Sequence, residues 1–230
     1  MGESSDRNCI AIGQRTRPCG KTAEHRAPVR LVLASASPRR AEILRNAGIP
    51  FEIRTALIDE SPRQGELPSA YVQRLALEKA RAAADAASEE RLETGTIFMG
   101  ADTTVVIEDE MLGKPESEED AQRMLRRLSG RVHEVHTGLA LVRRPGAWVQ
   151  VVDEVTAVTF ANLSGVEIER YVATGEPFGK AGGYAVQGIA GRFITRIDGC
   201  YFNVVGLPLA RLYSLLREAG WKIGSVEIGA

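Results

Sequence analysis

Near its start the chain has a short apolar run that leads straight into the first turn of a helix, and few folds accommodate this combination. Residues 29–35, with the sequence VRLVLAS, are apolar and partly β-branched, which predicts a buried strand. Ser37 then predicts the N-cap of a helix, Pro38 its first residue, and Gly48 its end. A buried strand followed directly by a helix is typical of folds in which strands and helices alternate.

The remaining sequence continues this alternation. Runs of apolar and β-branched residues predict strands, and apolar residues at helical spacing predict helices. Gly146 lies in the predicted turn of a hairpin, at residues 143–147. Strands interspersed with helices, with one hairpin among them, favour an α/β fold with a mixed central sheet flanked by helices. Residues 50–60 predict a strand that runs into a loop. Further strands are predicted at residues 96–115 (with a turn at 108–110), 133–144 and 148–160, and further helices at 69–87, 117–130, 164–175 and 208–220.

The length of the chain fits one domain. With 230 residues, of which 44% are hydrophobic and 26% charged, the composition is ordinary for a soluble globular protein. Residues 1–27 are polar and aperiodic. We therefore expect a flexible N-terminal extension over residues 1–27 and a single domain over residues 28–230.

Composition also excludes several classes of function. The net charge of −1 provides no long-range attraction for nucleic acid or for an anionic membrane, so an anion site must be a local cluster. Cys9, Cys19 and Cys200 are too scattered for a disulfide framework or a zinc site. No apolar run approaches the ~18 residues of a membrane span, and the first residues lack the apolar core of a secretory signal. We expect a cytoplasmic protein.

Arg39 and Arg40 place positive charge in the first turn of the first predicted helix. Cations at this end oppose the helix dipole, which favours anions there. Two guanidinium groups, free backbone N–H groups and the hydroxyls of Ser35 and Ser37 would together suit phosphate oxygens. The alternative is an ordinary capped helix with solvated arginines, and the spacing alone favours neither.

Lys79 lies on the apolar stripe of the helix predicted at residues 69–87, on the same face as Val72 and Leu75. A buried ammonium without a partner is costly, so a lysine at this position needs an explanation. Either its head group reaches past the edge of the core into solvent, or Lys79 lines an internal anion site.

Carboxylates and a further lysine occur near predicted strand ends. Asp102 follows a Gly-Ala step inside an apolar strand, and Lys114 is held extended by the proline after it. Asp59 and Glu60 form an acidic pair in the loop after the second predicted strand. Taken singly, each is most simply a solvated charge. Together, several cations and two or more carboxylates are what a metal-bound polyphosphate needs.

His133 and His136 do not form a zinc site in our interpretation. Both lie in a predicted strand, in the sequence HEVH. Residues three apart in a strand face opposite sides of the sheet, so the two imidazoles cannot bind one ion.

The segment 178–188, FGKAGGYAVQG, is rich in glycine. Glycines allow the backbone to approach a ligand closely, and the segment also carries Lys180 and Gln187. A purely structural glycine loop is the alternative.

Taken together and in order, these stretches resemble the Maf family of nucleoside triphosphate pyrophosphatases. The similarity covers about residues 30–215, nearly the whole chain without its extension. The motifs that carry the similarity are LASASPRRAEIL, LALEKA, GADTTVV, GKPESEEDAQRML, VHTGLALV, GKAGGYAVQG and VVGLPL.

The resemblance implies a mixed α/β fold of two lobes with a deep cleft between them. It also implies hydrolysis of a nucleoside triphosphate to the monophosphate and pyrophosphate, with a divalent cation such as Mg, Mn or Co. By motif match, Asp102 would be the general base or the carboxylate that organises the metal, and Asp59 or Glu60 a second acidic residue. The residues that would hold the triphosphate are Ser35, Arg40, Lys79 and Lys114.

Within the family, the sequence resembles the group that acts on dTTP and UTP. Arg39, Thr103 and Gln187 carry that assignment, and the Gln187 amide can both donate to and accept from a uracil edge. The resemblance also suggests a homodimer. The alternative function is a nucleotide-binding regulator of septum formation with incidental hydrolysis, although Asp102 beside the cationic residues favours the enzyme.

Overall fold

The computed structural model describes residues 29–55, 57–87 and 95–221. The predicted extension at residues 1–27 lies outside this part of the chain, as do Cys9 and Cys19. The strands are β1 (Arg30–Leu33), β2 (Glu52–Ile53), β3 (Thr96–Ile107), β4 (Glu110–Leu112), β5 (Val132–Arg144), β6 (Val149–Phe160) and β7 (Ile194–Asp198). The helices are α1 (Pro38–Asn46), α2 (Pro68–Asp85), α3 (Glu118–Leu128), α4 (Gly165–Val172), α5 (Tyr201–Val205) and α6 (Leu209–Glu218), with 3-10 turns at Ala181–Gly183 and Ile189–Phe193.

The described strands form one mixed sheet, as predicted. Its order is β2–β1–β3–β5–β6–β7, with β4 paired to the far end of β3. The strand β1 is parallel to β2 and β3, whereas β3, β5, β6 and β7 pair antiparallel. None of the described helices is long and apolar enough to cross a membrane.

Alternation along the strands assigns each face of the sheet to different helices. Val32 and Phe98 point to one face, where the buried alanines of α2 cover them. Leu33, Met99 and Leu139 point to the other face and pack against α1 and α6. The sheet is therefore covered by helices on both faces.

Two apolar cores share the second face and are separated by polar side chains. Along β5, Leu139 belongs to the core beneath α1 and α6, and Val135 to the core beneath α3 and α4. Thr137 lies between these two residues and pairs with Thr103 of β3, with their Oγ1 atoms 2.9 Å apart. This polar pair marks the boundary between two lobes, which confirms the predicted architecture.

The helix α2 lies directly on the sheet because glycines leave room for its backbone. A Cβ on Gly138 would lie 2.1 Å from a carbonyl oxygen of α2, and a Cβ on Gly100 would lie 2.0 Å from another. In the sheet, Gly138 is the direct partner of Asp102. The two glycines thus set how closely Lys79, on α2, approaches Asp102.

Three details of the local structure were not given by the sequence. The strand predicted to run into a loop within residues 50–60 is present as β2, and it has only two residues because β1 ends after pairing with them. Ser37 occupies the N-cap position of α1, but within the described residues its hydroxyl makes no capping bond, and its N–H donates to Ser35 Oγ at 3.2 Å. On α6 the buried residues are Leu212, Leu215 and Leu216, whereas Tyr213 is 36% exposed.

Two elements were not predicted from the sequence. The strand β7 and the helix α5 are each five residues long, and their sequences, ITRID and YFNVV, show no clear period. Short elements of this kind are held by pairing and packing, β7 by antiparallel pairing with β6, so local sequence carries little signal for them.

His133 and His136 face opposite sides of β5, as predicted. His133 is buried in the core, where its Nε2 lies 2.8 Å from the hydroxyl oxygen of Tyr184. His136 lies 2.9 Å from a carboxylate oxygen of Asp153 and 3.1 Å from one of Glu134. Their different partners exclude one ion bound to both rings.

We expect the protein to lose stability as the pH falls below about 6.5. Burial lowers the pKa of His133 from 6.5 to about 4, so in this window the unfolded chain binds a proton that the folded chain does not. The free energy of unfolding should therefore fall by up to about 3 kcal/mol across the window. His136 affects the pH dependence of stability only above pH 6.5, because its hydrogen bond to Asp153 raises its pKa.

Urea titrations of the parent and of His133→Gln at neutral and mildly acidic pH test this expectation. The variant has no imidazole at this position, and its free energy of unfolding should change less between the two conditions. Equal pH dependence in the two proteins would contradict the assignment to His133.

Candidate active site

A cavity of about 480 Å³ opens where β1 ends beside the middle of β3. Because β1 stops at Leu33 while β3 continues to Ile107, the chain after β1 turns away and leaves a crevice at the carboxyl end of a parallel strand. The walls come from the turn after β1, the middle of β3, the loop before α2, the glycine-rich segment and the end of α5. The cavity therefore lies at the boundary between the two lobes.

Lys79 and two carboxylates lie together in this cavity. Lys79 Nζ is 2.6 Å from Asp102 Oδ1 and 2.7 Å from Glu60 Oε1. The Lys79 and Asp102 side chains are only 12% and 13% exposed. The position of Lys79 on the apolar stripe of α2 therefore reflects an internal ion pair rather than a head group that reaches into solvent.

Glu60, and not Asp59, is the acidic loop residue that enters the cavity. Burial opposes the ionisation of Glu60, but the hydrogen bond and charge of Lys79, helped by Lys114 at 3.5 Å, lower its pKa overall. Asp59 is exposed and accepts a hydrogen bond from the N–H of Ser61 at 2.9 Å. Two acids adjacent in sequence thus have different surroundings.

Arg40 is buried beneath the cavity, where it holds together three parts of the wall. Its guanidinium donates to Gly206 O at 2.7 Å, to Ser35 Oγ at 3.0 Å and to Thr103 Oγ1 at 3.1 Å. Burial lowers the pKa of Arg40, and the negative charge of Asp102 opposes that effect. Three of the five guanidinium donors are therefore used within the protein, and the others can meet a ligand.

Arg39 and Lys180 add positive charge to the cavity wall. Burial lowers the pKa of both groups, and the charge of Arg39 lowers that of Lys180 further. Lys180 Nζ donates to the carbonyl oxygens of Glu176 and Phe178. From the sequence, Lys180 was identified only as a member of the glycine-rich segment. Its positive charge within that segment was the one sign that it would line the cavity.

The glycine-rich segment forms a wall of the cavity, and its glycines are needed there. Gly182 has a φ of 67°, and a Cβ on it would lie 2.8 Å from the Val105 side chain. Its N–H donates to Gly113 O at 2.9 Å. Gln187 is exposed and, among the described residues, lies outside the cavity wall. The segment therefore stabilises the local fold and also lines the cavity, but it does not bring Gln187 to the other candidate residues.

Asp102 and Glu60 are carboxylates of the cavity that suit a divalent cation. Mg²⁺ is commonly held by one or two protein carboxylates, with waters and substrate phosphates completing its shell. In the part of the chain that the structure describes, there is no group of three or more His, Cys, Asp and Glu side chains that could hold an ion. The donor set therefore fits a cation that binds together with a polyphosphate.

A family model described as Maf-like protein matches residues 30–219. This chain belongs to the Maf family. The matched segment of this Maf chain contains all the candidate site residues, from Ser35 in the turn after β1 to Gln187 in the glycine-rich segment. The cavity and the family assignment therefore concern the same domain.

Curated relatives of this Maf chain carry the name dTTP/UTP pyrophosphatase. A protein from Anaeromyxobacter sp. (strain Fw109-5) is 52% identical over 194 residues, which cover 83% of this chain and 90% of the relative. One from Pelotomaculum thermopropionicum is 48% identical over 193 residues, covering 84% and 98%. One from Geobacter sp. (strain M21) is 51% identical over 192 residues, covering 83% and 95%.

Proposed function

We propose that this Maf chain hydrolyses dTTP and UTP to the nucleoside monophosphate and pyrophosphate. The observation that carries the proposal is the pairing of Asp102 and Glu60 with Lys79 inside a cavity lined by further cations. The names of relatives that are about half identical to this chain support the choice of substrate.

The cations of the cavity would bind the triphosphate. The cations that line the cavity offer positive charge from different walls, and hydrogen bonds between charged groups are the strong ones; these cations are Arg39, Arg40, Lys79, Lys114 and Lys180. Ser35 adds a hydroxyl, which Arg40 holds in place. Phosphate oxygens would replace part of the internal pairing of Lys79.

Asp102 would accept the proton of the attacking water. In this step the water oxygen forms a bond to the α-phosphorus while the bond from the α-phosphorus to the bridging oxygen breaks in line. Pyrophosphate leaves with that bridging oxygen, and the surrounding cations stabilise its charge. The cations beside Asp102, Arg40 and Lys79, are protonated donors and cannot accept this proton, so the carboxylate of Asp102 is the acceptor among these three side chains.

We propose that Asp102 and Glu60 hold a divalent cation, Mg, Mn or Co, together with the substrate. When bound, the cation neutralises phosphate charge and lowers the pKa of bound water.

Selection of the nucleobase of the substrate would involve Arg39, Thr103 and Gln187. Thr103 accepts a hydrogen bond from Arg40, so it would contact the nucleobase directly or influence it by positioning Arg40. The exposed amide of Gln187 would reach a pyrimidine only if the base lies toward the outer end of the cavity. We extend the proposal to a cytoplasmic homodimer that acts on free nucleotides and not on nucleic acid.

A turnover assay across a nucleotide panel tests the proposed function. With Mg²⁺ or Mn²⁺ present, we expect dTTP and UTP to be hydrolysed faster than ATP, GTP and 7-methyl-GTP. Chromatography should identify the monophosphate and pyrophosphate as products. Release of orthophosphate with the nucleoside diphosphate, or a preference for purine nucleotides, would contradict the proposal.

A further inference from the structure

The loop that carries Glu60 is fixed to α2 at two points. Tyr71 OH donates to the carbonyl oxygen of Glu60 at 3.0 Å, and Arg74 Nη2 donates to that of Ser61 at 3.1 Å. Both donors belong to the first two turns of α2, the helix that also carries Lys79. The main chain at residues 60–61 is therefore held against the same helix that supplies the partner of the Glu60 side chain.

Arg74 is itself held by a bidentate ion pair. Its Nε and Nη2 lie 2.6 Å and 2.7 Å from the two carboxylate oxygens of Glu66. The Arg74 and Glu66 side chains are only 12% and 9% exposed, which is unusual for charged groups without a structural role. The hydrogen bond from Arg74 lowers the pKa of Glu66 to about 2, so the pair stays ionised at neutral pH.

Glu60 needs such support because the rest of its surroundings hold it only weakly. Its side chain is 44% exposed, and it lies between β2 and α2, where the described residues have no regular secondary structure. An exposed ion pair typically contributes at most about 1 kcal/mol, so pairing with Lys79 and Lys114 alone would leave Glu60 free to leave the cavity.

We propose that Arg74 and Tyr71 are positioning residues that hold Glu60 beside Lys79 and Asp102 for hydrolysis. Within the described residues, neither of them lines the cavity, so each acts on the substrate only through the main chain of the Glu60 loop. This inference rests on the proposed function for its kinetic readout, and on exchange of the loop amides for a readout that needs no substrate.

Arg74→Met keeps most of the side-chain length and removes the bond to Ser61 and the pair with Glu66. It also removes a 3.4 Å contact with Glu78, the acid that Arg63 also contacts. We expect kcat for UTP to fall roughly tenfold or more, as is common when a residue that orients a ligating group is lost, with KM changed less. Glu60→Gln should lower kcat by a similar factor. The double variant should be no worse than Glu60→Gln, because the two changes remove the same contribution.

The matched control is Arg63→Met. Arg63 pairs with Glu78 at 3.1 Å, is 67% exposed, and makes its contact to Glu66 through the backbone N–H, which the substitution keeps. Its kcat should stay at the parental value. Tyr71→Phe, which loses one hydroxyl, should have a smaller effect than Arg74→Met, and Arg74→Lys should restore part of the lost turnover.

Hydrogen–deuterium exchange on the ligand-free protein measures the loop directly. In the described part of this loop the N–H of Ser61 donates to Asp59 Oδ1 at 2.9 Å, and it should exchange faster in Arg74→Met than in the parent or in Arg63→Met. The proposal would be overturned if Arg74→Met lowered only the melting temperature and left amide exchange and kcat at their parental values. Additive losses of kcat in the double variant would also overturn it. A parent protein without hydrolytic activity would instead overturn the proposed function, and the exchange data would still decide whether Arg74 holds the loop.

Discussion

Replacing Asp102 with Asn is expected to reduce the hydrolysis of UTP by roughly 10²-fold or more, the range that loss of a general base commonly produces. The cations of the cavity can stabilise the departing pyrophosphate, but they cannot take a proton from water at neutral pH. Asp102 can, and it lies 2.6 Å from the ammonium of Lys79, with its side chain almost fully enclosed. Asn keeps the size of the side chain and removes its charge and basicity.

Nucleotide affinity should change little in Asp102→Asn, or should rise in metal-free buffer, because one carboxylate no longer repels the triphosphate. Calorimetry with UTP, run beside a pyrophosphate-release assay, measures both effects. Asp59→Asn is the matched control, since it makes the same chemical change at an exposed acid next to Glu60, and its turnover should remain parental.

This pair of measurements also separates an enzyme from a regulator that only binds nucleotide. Loss of turnover with retained affinity in Asp102→Asn would assign Asp102 to the chemical step. Hydrolysis near the parental rate would show that Asp102 is not the base, and Glu60 would become the candidate.

Gly138→Ala is expected to destabilise the protein by about 3 kcal/mol, the upper part of the range for overpacked sites. A Cβ at this position would lie 2.1 Å from the carbonyl oxygen of Val72 and 2.7 Å from the backbone nitrogen of Gln73. Both neighbours are main-chain atoms of α2, so a side-chain rotation cannot relieve the contact. Either α2 or β5 has to move, and the packing of the α2 alanines on the sheet is lost with it.

For a chain of this length, this change corresponds to a fall in melting temperature of roughly 6–12 °C. Turnover should fall as well, because a shift of α2 carries Lys79 away from Asp102. Gly165→Ala is a suitable control, since a Cβ there would meet open space and its φ is not in the left-handed region. Parental melting temperature and turnover in Gly138→Ala would mean that α2 does not rest on this glycine.

Local sequence patterns were sufficient for the longer elements. The capping box of Ser164 and Glu167 begins α4, Ser117 caps α3 through the N–H of Asp120, and the predicted hairpin is present as β5 and β6. These elements could be predicted because capping and periodicity involve residues close together in the chain.

Only some residues of the candidate site could be predicted from local sequence patterns. Lys79 was recognised because a cation breaks an apolar stripe, yet both a solvated and an internal head group satisfied that pattern. The structure decides between them by bringing Asp102 and Glu60 to its ammonium, from positions 23 and 19 residues away in the chain. Lys180 enters the cavity wall and Gln187 does not, although both belong to one glycine-rich segment.

The class of the fold, the approximate bounds of most elements and a set of residues able to bind a polyphosphate could all be predicted from local patterns. Two features of the site needed the three-dimensional packing: Glu60 rather than Asp59 faces the cavity, and Arg40 donates three hydrogen bonds to the cavity wall. The physical reason is the range of the interactions. Capping and periodicity act within a few residues, whereas the partners of Arg40 include Gly206 and Thr103, which meet it only through sheet register and helix packing.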